Sequence, residues 1–261
     1  MIKLIVSDVD GTLVKDGSAD VNPELFDVIL RLREKGIQFA IATGRQKASL
    51  ETTFAPVREK IFYIANNGAY LGCYGRELFV YDIDRDLASQ VIREVRRHPD
   101  LVPVYAGTDR DYMESGNPEV FCWLRDSYKF QIEQVEDLLA LTVPCTKISI
   151  YKEGNVETAA QDIYRKFKDK MKIALAGECW LDCMALGVNK GRGVQTLQES
   201  LGISPEETMA FGDQLNDLEM LDQAYYSFAV ANAREEVRRA ARFQADSNEN
   251  DGVLKVLRQL L

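Results

Sequence analysis

The sequence predicts an α/β protein: a parallel-sheet core built from both ends of the chain, with an α+β domain inserted between them. Three observations predict it. Over residues 1–68, short apolar runs ending in polar or glycine-containing turns alternate with helix-spaced apolar positions. The same rhythm returns after Gly187. Between these stretches it is lost, and nothing there repeats or is low in complexity. The expected division is a core of 1–81 and 187–261 and an inserted domain of 82–186.

The elements follow in order. Lys3 to Ser7 reads as a buried strand. Asn22-Pro23-Glu24 starts a helix with a capping side chain, Pro at the first position and an acid in the first turn. Leu25, Val28, Ile29 and Leu32 then recur at helical spacing, and Gly36 ends the run. Ile37 to Ala42 and Phe62 to Ala65 are the next strands, ending at Thr43-Gly44-Arg45 and Asn66-Asn67-Gly68. Tyr70 to Tyr81, broken by Gly72 and Gly75, reads as a hairpin. In the inserted domain Lys147 to Tyr151 and Lys172 to Ala176 are strands and Asn155 to Phe167 is helical. A helix from Gly191 to Leu201, a strand from Thr208 to Phe211, a strand from Phe228 to Ala231 and two short helices complete the chain. Strand–helix–strand units of this length describe a Rossmann-like parallel sheet.

Composition narrows the function. At 261 residues, with 46% hydrophobic and 28% charged side chains, the chain is that of a globular protein with sizeable cores. A formal net charge of −9 argues against a nucleic-acid surface, which needs clustered Lys and Arg, but leaves room for a small anionic substrate. No apolar run approaches the roughly 20 residues of a membrane span. The five cysteines form no CxxC pair, and Met1-Ile2-Lys3 runs straight into the first strand; reduced thiols and a cytoplasmic location are expected. The single histidine, His98, stands before Pro99 and reads as a surface residue ending a helix, which argues against Ser-His-Asp, Cys-His and multi-histidine zinc sites. Hydrolysis here must run on carboxylates, lysine and a hard cation.

In open parallel sheets the ligand lies beyond the carboxyl ends of the strands. Several polar groups fall there: Asp8 and Asp10, Thr43-Gly44-Arg45, Asn67-Gly68, and Gly212-Asp213 with Asn216-Asp217, while Lys190 opens the helix after the insert. Asp8 and Asp10 are one residue apart and share a face, so each is expected to raise the other's pKa. A turn using Asp-Gly would explain Asp10 but not Asp8. Oxygen donors without His or Cys suit Mg²⁺. Thr43-Gly44-Arg45 offers a hydroxyl, backbone N–H groups and a guanidinium for phosphate oxygens. Lys190 precedes Gly191, so it is no P-loop lysine. A lysine at a helix start opposes the helix dipole, and an anionic partner is expected for it.

These motifs, in this order, resemble the haloacid dehalogenase superfamily of phosphohydrolases. "DVDGT" is similar to its nucleophile motif, "ATGR" to the second, Lys190 in "NKG" to the third and "GDQLND" to the metal-binding fourth. The long insert, with "NNGA" at its entrance and "LGVNKG" at its exit, resembles the Cof-type branch, whose α/β cap closes over the substrate. The resemblance implies Asp8 as nucleophile and Asp10 as acid/base. It implies Mg²⁺ held by Asp8, the backbone carbonyl of Asp10 and Asp213, with Asn216 and Asp217 supporting the metal and Lys190. Thr43, Gly44, Arg45 and Lys190 would bind the phosphoryl group. Gln214 departs from the pattern, where many relatives have Gly, and is expected to narrow the entrance.

The implied activity is a cytoplasmic Mg²⁺-dependent phosphatase of small phosphorylated metabolites, sugar phosphates foremost. No nucleic-acid or membrane partner is expected, and the chain should be a monomer or weak homo-oligomer. A phosphotransferase or mutase would use the same carboxylates and stays open. A phospho-accepting signalling module would lack the use for Asp10, which shortens the life of a phosphoryl-enzyme. The aromatic side chains Tyr105, Tyr112, Phe121 and Trp123 are read as core rather than as substrate contacts.

Overall fold

The computed structural model describes residues 1–15, 18, 20–126, 130–175 and 178–261. The chain forms two compact units: Met1–Arg45 with Leu50–Phe79 and Asn189–Leu261, and Gln46–Ser49 with Val80–Val188.

The first unit is built on an eight-stranded sheet among the described residues. Its strands are β1 (Leu4–Ser7), β2 (Gln38–Ala42), β3 (Phe62–Ala65), β4 (Tyr70–Cys73), β5 (Arg76–Val80), and, from the C-terminal part, β12 (Thr208–Gly212), β13 (Tyr226–Val230) and β14 (Phe243–Ala245). They lie in the order β14-β13-β12-β1-β2-β3-β4-β5. From β14 to β3 all neighbours are parallel, and β4 returns antiparallel on β3. Strand β1 is therefore central, with both faces covered, which is why Leu4, Ile5 and Val6 are all apolar and buried rather than alternating. The register sets Ser7 beside Phe211 on one side and Ile41 on the other, so the chains leaving β12, β1 and β2 emerge together.

The helix Pro23–Glu34 forms as its sequence dictates. Asn22 caps it, its Oδ1 accepting from the Glu24 N–H at 3.0 Å, and Leu25, Val28, Ile29 and Leu32 are the buried stripe. The helix Lys190–Leu201 begins one residue earlier than expected because Asn189 is the cap, accepting from the Arg192 N–H at 2.7 Å. A left-handed Gly202 closes it. Gly193 lets this helix lie close on the sheet, since a Cβ there would stand 2.4 Å from Ile64 Cγ2. Strand β14 was not expected. It has only three residues, two of them exposed, too short for an apolar pattern.

The second unit holds a six-stranded sheet among the described residues, from β6 (Val102–Ala106), β7 (Asp111–Glu114), β8 (Ile132–Val135), β9 (Lys147–Tyr151), β10 (Met171–Leu175) and β11 (Trp180–Ala185), in the order β10-β11-β9-β6-β7-β8. Ala176, expected to end β10, lies outside the described residues. The helical stretch Asn155 to Phe167 is interrupted at Ala160, leaving helices Val156–Ala159 and Gln161–Phe167. Val91, Ile92 and Val95 of helix Arg85–Val95 join Ile163 and Phe167 in a core with Ile148, Ile150, Leu181 and Cys183. Tyr105 and Tyr112 belong to this core, and Phe121 and Trp123 pack with Val104, Met113 and Leu124 in a second one. All four aromatics thus take part in packing, Tyr105 buried and the other three partly buried.

One carboxylate in this unit is an electrostatic liability. Asp182 is satisfied by the Lys147 ammonium at 3.0 Å and the Ser149 hydroxyl at 2.7 Å. Asp111 is 4% exposed, and burial pushes its carboxyl up to about 7; Lys147 and Gln46 offset part of the rise, and Asp182 adds to it. An unfolded chain releases this proton near pH 4, so between about pH 4 and 7 the native state binds more protons and stability falls as pH rises. Asp111→Asn is expected to raise the Tm at pH 8 more than at pH 5. Equal shifts at both pH values would contradict this account.

No helix among the described residues is long and apolar enough to cross a membrane, and the five cysteines are free thiols.

Candidate active site

The site is assembled by the loops that leave adjacent parallel strands of the first unit. The Asp8 N–H donates to the Phe211 carbonyl at 3.0 Å, which continues the β1–β12 ladder and fixes the backbone from which Asp8 projects. After β2, the Thr43 N–H donates to the Ile64 carbonyl, and after β3 the Asn67 N–H returns to the Thr43 carbonyl, both at 2.9 Å. Asn66 and Asn67 have φ of 49° and 56°, a left-handed turn that Asn tolerates better than most residues.

Lys190 is the electrostatic centre. Its Nζ donates to Asp8 Oδ1 and to Asp217 Oδ1, both at 2.6 Å, and all three side chains are almost fully buried. The anionic partner expected from its place at a helix start is therefore present, twice over. Burial opposes the Lys190 charge, but Asp217 and Asp8 more than offset it, and its pKa lies above the ordinary lysine value. Asp217 spends its second oxygen on the backbone N–H groups of Asp213 and Gln214, both at 2.9 Å. Asp217 thus holds the lysine with one oxygen and shapes the loop after β12 with the other. Gly212 makes room for it, since a Cβ there would stand 2.6 Å from Asp217 Cβ.

Asp213 turns toward the loop after β1. Its Oδ1 accepts from the Thr12 hydroxyl at 2.8 Å and its Oδ2 from the Gln214 amide at 3.0 Å. Gly11, at φ +78°, passes so close that a Cβ would lie 2.3 Å from Asp213 Oδ2. One oxygen each from Asp8, Asp213 and Asp217 lie within 4.8 Å of one another. The carboxyl of Asp8 is held well above the ordinary range: burial is the largest cause, Asp217 and Asp213 add to it, and Lys190 opposes it. Asp213 is raised as well, chiefly by burial, with the Thr12 hydroxyl opposing. The like-charge strain expected between Asp8 and Asp10 falls instead on Asp8 against Asp217 and Asp213, because Asp10 points elsewhere.

Asp10 faces Arg45. The Arg45 Nε donates to Asp10 Oδ2 at 2.7 Å and Nη2 to Oδ1 at 2.5 Å. Arg45 was expected among the phosphoryl-binding donors, and the structure places its guanidinium on this carboxylate. Thr43, 1% exposed, accepts the Arg45 N–H on its Oγ1 at 3.2 Å. Gly44 runs beside Asn67, where a Cβ would stand 3.2 Å from Asn67 Oδ1. Asn216, expected to support the metal and Lys190, donates its amide to Asn67 Oδ1 at 3.1 Å. The sequence reading did not single out Thr12, although it lies inside the same DGT triplet; a hydroxyl two residues beyond Asp10 was the available signal.

Residues 5–257 match the model of the haloacid dehalogenase-like hydrolases. The chain belongs to this family. Within it, the 5-amino-6-(5-phospho-D-ribitylamino)uracil phosphatase YbjI of Escherichia coli (strain K12) is 28% identical over 261 residues, covering 100% of this chain and 96% of its relative. The Bacillus subtilis (strain 168) protein YcsE, which bears the same enzyme name, is 26% identical over 260 residues, covering 98% and 95%. A crystal structure from Eubacterium rectale superposes with a TM-score of 0.94 at 38% identity, over 100% of this chain and 99% of that one. As a haloacid dehalogenase-like hydrolase, the chain is an enzyme whose relatives are phosphatases, and its α/β core is the fold of that family.

The acid cluster fits a hard divalent cation. Its donors are oxygens alone, without His or Cys. Asp217 already accepts three hydrogen bonds among the described residues, against two at Asp213 and one at Asp8, so Asp8 and Asp213 keep more lone pairs to give.

Proposed function

We propose that this enzyme is a Mg²⁺-dependent phosphatase of small phosphorylated metabolites, sugar phosphates foremost, working through an aspartyl-phosphate on Asp8. The observation that carries the reading is the buried meeting of Asp8, Lys190, Asp213 and Asp217 where β1 and β12 end side by side. A cluster with three carboxylates and one lysine, almost wholly buried, carries an excess of negative charge that a divalent cation would neutralise.

Asp8, Asp213 and the backbone carbonyl of Asp10 would hold Mg²⁺, which supplies neutralisation of the phosphoryl charge when bound. Asp8 attacks phosphorus: a bond forms from its carboxylate oxygen, and the bond to the leaving oxygen breaks. Asp10 gives that leaving oxygen a proton and later takes one from the water that attacks the phosphoryl-enzyme. The second attack releases inorganic phosphate and restores the Asp8 carboxylate. Lys190, the Thr43 hydroxyl and the Gly44 backbone N–H stabilise the phosphoryl oxygens. Asp217 keeps Lys190 in place. The names of the two relatives, each a phosphatase of a phosphorylated ribityl compound, support a phosphorylated polyol or sugar as substrate.

The test is a panel of about a hundred phosphorylated metabolites, assayed for kcat/KM by release of inorganic phosphate. Sugar and polyol phosphates are expected to lead the ranking; EDTA should abolish turnover and added Mg²⁺ restore it. An enzyme inert toward the whole panel with Mg²⁺ present refutes the reading. Transfer of the phosphoryl group to another hydroxyl without phosphate release would instead make it a phosphotransferase.

A further inference from the structure

The grip of Arg45 on Asp10 is the most specific polar contact of the site left without a role. Two guanidinium nitrogens meet the two oxygens of one carboxylate, at 2.7 and 2.5 Å. Fork-on-fork geometry of this kind fixes the direction of a carboxylate as well as its place. The arginine is itself anchored on both sides of its backbone: its N–H donates to Thr43 Oγ1 at 3.2 Å and its carbonyl accepts the Asn66 N–H at 3.0 Å. The loops after β2 and β3 therefore determine where the side chain of a residue after β1 points. The cation near the phosphoryl site is already supplied by Lys190, so a second one is not required there.

We propose that Arg45 is the positioning residue of the acid/base group: it acts on the reaction through Asp10 and does not bind the phosphoryl group. The inference rests on the reading of Asp10 as acid/base given above. Its geometry also says which oxygen moves. Nη2 has a second acceptor in the Ser18 carbonyl at 2.6 Å, whereas Nε has Asp10 Oδ2. When Oδ1 leaves Nη2, the Ser18 carbonyl and Asp10 Oδ2 still hold the guanidinium, and the carboxylate pivots about the Nε–Oδ2 contact. Oδ1 carries the proton to the leaving oxygen while Oδ2 stays tethered.

The experiment compares two substrates of the full-length enzyme with Mg²⁺: the best sugar phosphate and 4-nitrophenyl phosphate. The first leaving oxygen needs a proton and the second hardly does. The quantity read is kcat/KM, which covers the steps through cleavage and leaves out the later attack by water. Arg45→Ala is expected to cost at least about tenfold more on the sugar phosphate than on the aryl phosphate, as loss of general-acid function should. Arg45→Lys keeps the charge without the fork and should show the same discrimination, smaller in size; it is also the variant to read if Arg45→Ala does not fold. Competitive inhibition by inorganic phosphate should stay within about twofold of wild type in both.

An equal loss on both substrates, or a marked weakening of phosphate inhibition, overturns the proposal; the latter would make Arg45 a phosphoryl ligand. Asp10→Asn provides the reference. If it discriminates between the substrates and the Arg45 variants do not, the positioning role alone falls. If Asp10→Asn does not discriminate, the acid/base reading and this inference fall together.

Discussion

Asp8→Asn is expected to lower phosphate release by roughly 10⁴-fold or more while leaving the folded protein as stable as wild type or more so. The two halves of this expectation come from the same geometry. The amide keeps the shape of the carboxylate and an oxygen for the Lys190 ammonium, which now lies 2.6 Å from Asp8 Oδ1. It cannot form an acyl-phosphate, so the first covalent step is lost. Burial raises the pKa of Asp8 well above its ordinary value, and Asp217 and Asp213 raise it further. A charge so disfavoured is held at a cost to the native state, and removing it relieves that cost. Kinetics on an aryl phosphate with Mg²⁺, paired with thermal unfolding at pH 8, tests both halves. Turnover at the wild-type level would mean the nucleophile is not Asp8. A loss of activity accompanied by a large drop in Tm would make the residue structural.

What the sequence made legible was the positions at which chemistry would gather. Strand ends are marked by a change from apolar to polar residues, and a parallel sheet brings those ends together, so Asp8, Thr43, Lys190 and Asp213 could be grouped before any side chain was placed. The directions of the side chains were another matter. Asp8 and Asp10 lie on one face of an extended chain, yet Asp8 turns to Lys190 and Asp10 to Arg45. Which cation each meets depends on residues 35 and 182 positions away in the chain, and no local pattern carries that information. The contact of Asn216 was hidden for the same reason: its amide finds Asn67, 149 positions away, because a left-handed turn at Asn66 and Asn67 presents an acceptor there. Gln214, expected to narrow the entrance, donates to Asp213 and so tethers a carboxylate of the acid cluster. The expected helix over Asn155 to Phe167 failed at Ala160, a residue with the highest helix propensity, so its break is set by tertiary structure.

Lys190→Met should be the most damaging single change to the fold as well as to activity. Lys190 is 1% exposed, and its ammonium stands between Asp8 and Asp217, two carboxylates that are themselves buried. Methionine fills nearly the same volume, so the change removes charge with little effect on packing. It leaves two buried carboxylates without their shared cation, and deleting one member of a buried ion pair costs about 3–5 kcal/mol. For a chain of this size that corresponds to a fall in Tm of about 10 °C. The effect should depend on pH in a definite sense. Without Lys190 the carboxyl of Asp8 loses the one group that opposes its rise, so its native pKa climbs further above the unfolded value of about 3.9. The native state then holds a proton that the unfolded chain has released, and stability is lost as pH rises from 5 toward 8. Urea unfolding should therefore show a wild-type-to-variant gap that is small at pH 5 and widens at pH 8. A gap of constant size would mean that the lysine serves packing alone. Arg is not expected to rescue either property, since its planar fork is larger than the ammonium and the site around Lys190 is closed. The lysine that makes Asp8 available for attack is the same one that lets three carboxylates share the end of two neighbouring strands.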